Sequence, residues 1–309
     1  MPSFNSLKNK FINSFYFHQW SLMIDMSHDF STNFSIFKKL TPPKDRFWAD
    51  PFIVYKNEKY YVFFEELVYS EKIGHISLIE IEKNGDHSKP KKILELPFHL
   101  SYPFIFEFEK NYYFIHASIS KNRSSVDLFK CVEFPYKWEF HKQLIPNTPL
   151  VDTTLFYHKN KWWLFACVAS DDGTSLSKNL VLYYNNSLID NSWISHPQNP
   201  IISDVSKARP AGNIFTMHDK LIRPSQNCSK FYGSGLCFNE IIKLTETEYE
   251  EKLIESFEPK LNDDFIGIHT FNRKNNLTII DGIFRRSRSL SSWYRNILLH
   301  LKKYFKNNF

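Results

Sequence analysis

A strand–turn–strand unit recurs five times along the chain, and this repeat limits the fold more than any other feature of the sequence. The first unit begins at Asp50, turns at Lys56-Asn57-Glu58-Lys59 and ends at Glu66. Positions 51, 103, 153, 210 and 269 are equivalent, so the spacings between units are 52, 50, 57 and 59 residues. A period near 50 with several short strands per unit is typical of a propeller blade. The sequence therefore predicts an all-β, five-bladed β-propeller.

The fifth unit contains only two strands before the repeat ends at Asp281. A propeller must close its ring, because an open ring exposes unpaired strand edges. A strand-like run near residues 19–25 has no partner within the repeats. We therefore expect this N-terminal strand to complete the last blade of a propeller domain that spans residues 1–285.

The tail of the chain carries the excess of positive charge. No acidic residue follows Asp281, whereas seven basic ones do: Arg285, Arg286, Arg288, Arg295, Lys302, Lys303 and Lys306. Without these seven, 39 − 7 = 32 basic residues face 33 acidic ones, and such a nearly neutral body argues against a nucleic-acid partner. Apolar residues at helical spacing over 290–309 predict a basic amphipathic helix in a segment 286–309. We expect this helix to bind an anionic membrane surface; the alternative is docking on the propeller.

The rest of the sequence bears on location and cofactors. No apolar run reaches the roughly 18 residues of a membrane span, and the N-terminal residues lack the features of a signal peptide. The four cysteines have no metal-ligand spacing. We expect a cytoplasmic protein, peripheral on the inner face of the cytoplasmic membrane, with no cofactor and no metal site.

Propeller topology predicts one shared rim of polar residues, because the first strand of each blade starts there and the second strand returns there. The starts contribute Asp50, Tyr102, Asp152, Arg209 and His269, and the returning strands contribute Glu65, Glu66, His116, Arg223, Gln226 and Asp281. Paired carboxylates in a funnel suit glycosyl chemistry, in which one acts as base or nucleophile and another as acid. Asp50, Asp152 and Glu66 are the catalytic candidates.

The remaining rim residues are candidates for substrate binding. Arg209 and Arg223 suit the phosphate of an activated sugar donor. Trp48 and Tyr102 suit stacking on sugar faces, and the set is completed by His116, Gln226, His269 and Asp281.

Each candidate also has a structural interpretation. Asp50 before Pro51 can cap a turn, and Arg209 can tie blades together through backbone carbonyls. Glu65 and Glu66 point to opposite faces of their strand, so that at most one faces the funnel. His116 and His269 can be buried groups with purely structural partners.

Several short runs carry a resemblance to a known family. They are Trp48-Ala49-Asp50-Pro51-Phe52, Phe63-Phe64-Glu65-Glu66, Leu100-Ser101-Tyr102-Pro103, Ala208-Arg209-Pro210-Ala211-Gly212, Arg223-Pro224-Ser225-Gln226-Asn227-Cys228 and Gly267-Ile268-His269-Thr270-Phe271-Asn272. Residues 45–285 resemble the five-bladed domain at the N-terminus of plant glucosamine inositolphosphorylceramide transferases and of bacterial proteins, some of them joined to a formyltransferase domain. The wider resemblance is to the propellers of arabinanases and fructan-active enzymes.

The resemblance to those glycosidases implies that Asp50 is the base or nucleophile and that Asp152 is the second, stabilising aspartate. Their usual acidic Glu has no clear counterpart, because blade four opens with Arg209-Pro210. Positive charge there suits a phosphate leaving group better than simple hydrolysis. Neither the plant glycosyltransferase domain nor a formyltransferase domain is expected in this chain.

The combined expectation is a glycosyltransferase of bacterial surface polysaccharide, lipopolysaccharide or capsule. It would move a sugar from a nucleotide- or lipid-phosphate-linked donor to a lipid-linked glycan acceptor. A glycoside hydrolase of the arabinanase-like group and a non-catalytic glycan-binding module are the alternatives that the same residues allow.

Overall fold

Five antiparallel sheets follow one another along the chain, one for each repeat. The structure is a computed structural model, and it describes residues 16–120, 123–170, 173, 175–190, 192–260 and 264–288. The all-β, five-bladed propeller is confirmed. Among the described residues the one helical element is a 3₁₀ turn, Phe34–Ile36. No helix of this part of the chain has the length and apolar character needed to cross a bilayer.

The strands are numbered in chain order. Two strands precede the repeats: β1 (Tyr16–Asp25) and β2 (Lys38–Leu40). The first blade contains β3 (Arg46–Lys56), β4 (Lys59–Val68), β5 (Gly74–Ile81) and β6 (Lys91–Leu94). The second blade contains β7 (Phe104–Phe108), β8 (Asn111–Ser120), β9 (Arg123–Glu133) and β10 (Lys137–Pro146).

The later blades are less regular. The third contains β11 (Leu150–His158), β12 (Lys161–Val168), β13 (Asn179–Asn185), β14 (Ile194–Ser195) and β15 (Ile202–Ser203). The fourth contains β16 (Phe215–Met217), β17 (Lys220–Asn227), β18 (Gly235–Leu244) and β19 (Tyr249–Phe257). The fifth sheet contains β20 (Phe265–Gly267), β21 (Phe271–Lys274) and β22 (Leu277–Ser287), together with β1 and β2.

The N-terminal strand β1 belongs to the last sheet. It pairs with β22 in antiparallel register from Tyr16↔Ser287 to Asp25↔Thr278, and β2 pairs with its other edge. That this pairing fastens the ring remains a prediction. Strand β22 also runs beyond the expected domain boundary at 285, so that residues 286 and 287 are extended rather than helical. The rest of the expected helix, residues 289–309, lies outside the described residues.

The innermost strands carry a backbone irregularity where they begin. The register shifts between Ala49 and Phe52 in β3, and the same kind of shift occurs in β11 on either side of Asp152. Asp50 and Asp152 both have φ 51°, and Tyr102 at the equivalent place in the second blade has φ 48°. Non-glycine residues seldom adopt this left-handed conformation, and a bulge re-aims the side chains next to it. In this propeller the bulges aim carboxylates toward the centre.

Candidate active site

A cavity of about 350 Å³ opens where the innermost strands begin. It is lined by residues from all five blades and from β1: Trp20, Phe47, Ala49, Asp50, Glu65, His99, Ser101, Asp152, Arg209, Tyr232 and His269. The cavity contains three carboxylates, two imidazoles and one guanidinium group. Of the expected site residues, it brings together Asp50, Asp152, Arg209 and His269.

Asp50 is held by groups from both neighbouring blades. Its Oδ2 accepts the backbone N–H of Tyr102 at 3.1 Å, and its Oδ1 accepts the hydroxyl of Thr270 at 2.9 Å. Its own N–H donates to Asp281 Oδ2 at 2.9 Å. The carboxylate is therefore locked in place although it borders the cavity, which is the kind of preorganisation that a catalytic acid or base requires.

His269 lies between two carboxylates. Its Nδ1 is 2.6 Å from Asp281 Oδ2, and its Nε2 is 3.5 Å from Asp50 Oδ1. Trp20 of β1 stacks on the imidazole with 4.0 Å between ring centroids. Asp281 is fully buried and also accepts the backbone N–H groups of His269 and Thr270. Asp281 was expected to bind substrate, whereas here it orients His269 and joins the fifth blade to the first.

Burial and mutual proximity shift the pKa values of Asp50 and His269. Burial raises the pKa of Asp50 to about 8, while the neighbouring imidazolium of His269 acts in the opposite direction. Burial opposes protonation of His269, but Asp281 and Asp50 outweigh it and raise its pKa to about 9. Asp50 can therefore change protonation close to neutral pH, where a proton-transferring group is most effective.

Asp152 forms the second polar centre of the cavity. Arg209 Nε donates to its Oδ2 at 2.5 Å, and Gln226 Nε2 donates to the same oxygen at 3.1 Å. Gln226 is fully buried and also donates to the Pro210 carbonyl, so that it positions Asp152 from behind the cavity wall. Arg209 Nη1 reaches Ser177 Oγ at 3.3 Å and the Leu176 carbonyl at 3.4 Å. Its Nη2 makes no hydrogen bond among the described residues.

The third carboxylate is Glu65. His99 Nε2 lies 3.1 Å from Glu65 Oε1, and His99 Nδ1 accepts the backbone N–H of Gly74 at 3.0 Å. Because Nδ1 is an acceptor, the proton sits on Nε2 and is donated to Glu65. Gly74 permits this arrangement, since a Cβ there would lie 2.8 Å from His99 Cε1 and 3.0 Å from Glu65 Oε1.

Glu66, the expected catalytic glutamate, does not line the cavity. Its Oε1 accepts Trp48 Nε1 and Arg46 Nη1, both at 3.0 Å, and its Oε2 accepts Ser77 Oγ at 2.6 Å. Burial alone would raise its pKa, but the hydrogen bonds from His75, Ser77, Trp48 and Arg46 lower it to about 2. Trp48 is likewise a core residue, packed on Phe64. Glu66 and Trp48 therefore both lie outside the cavity, and their expected roles with sugar stay predictions.

Arg223 also lies away from the cavity. Its Nε and Nη2 donate to the two carboxylate oxygens of Glu251 at 2.7 and 2.8 Å, and its side chain is fully buried. Nη2 further donates to the Lys207 carbonyl at 2.8 Å. A guanidinium group saturated in this way has no face left for phosphate. It instead anchors the backbone directly before Arg209.

Tyr102 and His116 are structural in their contacts. The Tyr102 hydroxyl meets Thr154 Oγ1 at 2.8 Å and accepts the Gly212 N–H at 2.7 Å, so that it connects the second blade to the third and the fourth. His116 is buried behind Ser101 and stacks on Phe98. Neither residue lines the cavity, in contrast to the expected contact with sugar.

Six lining residues were not among the candidates: Trp20, Phe47, Ala49, His99, Ser101 and Tyr232. Trp20 and Phe47 sit in strands whose alternation is visible in the sequence, but nothing local distinguishes them from core aromatics. Tyr232 lies in a loop after β17, where its ring is 4.8 Å from Arg209 Cζ and 5.2 Å from the His269 ring. The aromatic wall of the cavity is thus assembled by tertiary structure.

A metal site was not expected, yet two groups of side chains have ligand-like proximity among the described residues. Asp50, His269 and Asp281 offer atoms within 4.8 Å of one another, as do Glu71, His75 and Glu95. In the first group, however, the oxygens of Asp281 are already used by three backbone N–H groups and by His269. The contacts therefore describe a carboxylate–imidazole–carboxylate chain.

Comparison with known proteins adds family and fold. The family described as "Glucosamine inositolphosphorylceramide transferase 1, N-terminal" matches residues 35–274. A relative with the name glucosamine inositolphosphorylceramide transferase 1 in rice (Oryza sativa subsp. japonica) is 35% identical over 208 residues, and one in Arabidopsis thaliana is 29% identical over 208. These alignments span 66% of this chain and 27% of each relative, so that the chain corresponds to about a quarter of those proteins.

Two solved glycoside hydrolases have the same fold. One glycoside hydrolase has a TM-score of 0.59 at 10% identity, covering 94% of this chain and 98% of its own. A family 117 enzyme from the marine bacterium Zobellia galactanivorans has a TM-score of 0.55 at 12% identity, with 89% and 92% covered. At such low identity the likeness concerns the propeller fold alone.

Proposed function

The chain belongs to the family of N-terminal domains of glucosamine inositolphosphorylceramide transferase 1, and on this premise we propose that its central cavity catalyses glycosyl transfer. The donor is a nucleotide- or lipid-phosphate-linked sugar, and the acceptor is a lipid-linked glycan of bacterial surface polysaccharide, such as lipopolysaccharide or capsule. The names of the plant relatives support sugar transfer to a phosphate-containing lipid. Because the match spans about a quarter of those proteins, their activity is part of the proposal here.

The observation that carries the proposal is Arg209 inside the cavity. Its Nε is bound to Asp152, while Nη2 has no partner among the described residues and remains available to an anion. A guanidinium group with donors to spare suits a phosphate leaving group, because it stabilises negative charge that develops as the sugar departs. Asp152 keeps the guanidinium oriented through its Oδ2.

Asp50 supplies the proton transfer or the nucleophile. It is fixed by Tyr102 N–H and by the Thr270 hydroxyl, and its raised pKa makes it a stronger base than an exposed aspartate. In its ionised form it accepts the proton of the attacking acceptor hydroxyl, or it attacks the anomeric carbon itself. His269, held by Asp281, lies beside it and balances its charge.

Glycoside hydrolysis is the second candidate, and Glu65 favours it. Hydrolysis needs a carboxylic acid to protonate the leaving oxygen as well as a base or nucleophile. Glu65 lines the same cavity as Asp50 and is held by His99, so that a second carboxyl group is present although blade four opens with an arginine.

The proposal also includes the location of the protein in the cell. We place the enzyme in the cytoplasm, peripheral on the inner face of the cytoplasmic membrane, because the basic sequence over 290–309 suits an anionic lipid surface. There it would meet its lipid-linked acceptor. This part of the proposal is independent of the chemistry in the cavity.

The test is a donor and acceptor panel with matched variants. Purified protein is incubated with nucleotide sugars and synthetic lipid-phosphate glycans, with mass spectrometry of the products, and in parallel with aryl glycosides. Asp50→Asn should abolish transfer, and Arg209→Lys should lower it at least tenfold through donor binding. Asp219→Asn and Arg273→Lys are the controls: Asp219 is an exposed turn residue that also has positive φ, and Arg273 lies in the distant β21–β22 hairpin.

The fold of Asp50→Asn should survive. The asparagine oxygen can still accept the Tyr102 N–H, and its Nδ2 can donate to the Thr270 hydroxyl. Release of free sugar from aryl glycosides with no transfer would replace the proposal by hydrolysis. Sugar binding that persists in Asp50→Asn, with no turnover of any substrate, would refute both and leave a glycan-binding module.

A further inference from the structure

The wall of the cavity continues beyond its mouth along β1 and β22. Alternate residues of a strand share one face, so Tyr16 and His18 lie on the same side as Trp20, which lines the cavity. Their cross-strand partners on that face are Ser287 and Arg285. Two residue pairs therefore extend the wall outward, roughly 3.3 Å per residue.

Aromatic and basic side chains from both faces of β1 and from the neighbouring segments lie close together at this end of the sheet, and they are partly or fully exposed. Arg288 lies over the Phe17 ring, with 5.6 Å from Cζ to the centroid, and its Nε donates to the Tyr16 carbonyl at 3.1 Å. Lys44 Nζ donates to the Ser287 carbonyl at 2.8 Å. Tyr16 and Tyr69 are 38% and 39% exposed. We call the set the basic rim: Tyr16, Phe17, Lys44, Tyr69, Arg285 and Arg288.

The basic rim is continuous with the cavity. The ring of Phe47, which lines the cavity, is 6.3 Å from that of Tyr69, and Tyr69 is 6.3 Å from Phe17 in an edge-on contact. Whatever binds the rim is therefore next to whatever enters the cavity.

The rim has a net positive charge. The acidic residues next to it are Asp45, which is paired with Arg46, and Glu71, which is exposed. Directly after Arg288 the sequence continues for 21 residues to 309 with four more basic residues and no acidic one. The rim and the sequence that follows it thus carry charge of the same sign.

We propose that the basic rim docks on an anionic lipid bilayer, so that the cavity opens along the membrane surface. Aromatic rings interleaved with cations suit the headgroup region, where tyrosine is enriched and each Lys or Arg gains from anionic lipid. A nucleic-acid partner is less suited, because the remainder of the body is nearly neutral. The rim adds a folded docking surface to the proposed membrane location, which rested on the sequence over 290–309, and it does not depend on sugar transfer in the cavity.

The experiment uses the full chain and vesicle flotation. Vesicles of phosphatidylcholine, with or without phosphatidylglycerol, are mixed with wild type and with the rim variant Lys44→Gln/Arg285→Gln/Arg288→Gln. The control is Lys110→Gln/Lys159→Gln/Lys274→Gln, three exposed lysines in or beside the hairpin turns at the opposite end of the blades. A third variant neutralises Arg295, Lys302, Lys303 and Lys306.

The rim variant should bind phosphatidylglycerol vesicles on the order of 10- to 100-fold more weakly than wild type, and the control should bind normally. Wild-type binding should also weaken as salt is added. Normal binding by the rim variant, with all binding lost in the 295–306 variant, would overturn the proposal. So would binding of wild type to single-stranded RNA but not to vesicles.

Transfer to a water-soluble acceptor fragment separates this inference from the proposed function. The rim variant should keep that activity in the absence of vesicles, because no substituted side chain lines the cavity. Absence of transfer in every protein, with rim-dependent vesicle binding intact, would refute the proposed chemistry and leave the docking surface standing.

Discussion

Replacing Tyr102 by phenylalanine tests whether this residue is a structural plug or a sugar contact. The hydroxyl is completely enclosed: it accepts the Gly212 N–H at 2.7 Å and meets Thr154 Oγ1 at 2.8 Å. Phenylalanine keeps the ring but leaves these two groups without that partner. An unsatisfied buried polar group costs about 1–3 kcal/mol, and Thr154 can turn its hydroxyl elsewhere, so we expect the free energy of unfolding to fall by about 2–3 kcal/mol.

The expected loss is measurable by calorimetry. With an unfolding entropy of roughly 2 cal/mol/K per residue, a domain of this size should lose about 4 °C in Tm. Tyr157→Phe is the control, because Tyr157 is 53% exposed and should change stability by less than about 0.5 kcal/mol. Sugar binding should be unchanged, since Tyr102 does not line the cavity. An unchanged Tm together with lost binding would refute the reasoning and return Tyr102 to the site.

Three further predictions follow from the same contacts. If Asp50 is the base, kcat/KM should rise with pH through about 8, and a profile that instead falls through that pH would make it the acid. Glu66 has a folded-state pKa of about 2, below its ordinary 4.5, so it adds stability above pH 4.5 that disappears as the pH falls toward 2. In urea titrations, Glu66→Gln should therefore lose less stability between pH 4.5 and pH 2 than wild type. An equal loss of stability in the two proteins would contradict the assignment. Deletion of residues 1–30 removes the strand that pairs with β22. Thermal unfolding, measured by circular dichroism, should then no longer be cooperative. A truncated protein that is soluble and unfolds cooperatively would show that β1 does not close the ring.

The fold could be predicted from the sequence because each blade contains a similar short pattern of residues. A polar residue before the innermost strand, a tight turn with Lys, Asn or Asp and an apolar returning strand recur at intervals of 50 to 59 residues, and the returning strand is aromatic in the first three blades. The turn residues Asn57, Lys110, Asn160 and Asp219 all have positive φ, as tight hairpins require. Local chemistry of this kind needs no knowledge of tertiary contacts.

The sequence could not decide whether Glu65 or Glu66 faces the cavity. Alternation places the two side chains on opposite faces of β4, but it does not say which face meets the cavity. The structure pairs Ala49 with Glu65 and Phe52 with Phe63, so that one strand contains an extra residue. This bulge shifts the register at the position that matters, and a bulge is a property of two strands rather than of one.

The location of the Arg223 side chain could not be predicted from the sequence for a different reason. Its role depends on Glu251, 28 residues later on the outermost strand of the blade, and no spacing rule connects the two positions. A buried guanidinium without a partner would be very unfavourable, so its burial implies a carboxylate, but the sequence does not identify which one. The same limit applies to Trp20, which reaches the cavity only because β1 joins the last sheet.

The left-handed position at the start of the innermost strands connects fold and site. Asp50, Tyr102 and Asp152 occupy it in three successive blades with φ of 51°, 48° and 51°, a conformation that costs energy for a residue with a side chain. In these three blades the same backbone feature therefore places one side chain near the centre of the propeller. The role of the position then depends on which side chain stands there: the tyrosine hydroxyl contacts Thr154 and Gly212, whereas the two aspartates line the cavity. A site built in this way can change its chemistry by single substitutions while the propeller is preserved, because the backbone position is set by the strand pairing and the chemistry by the side chain.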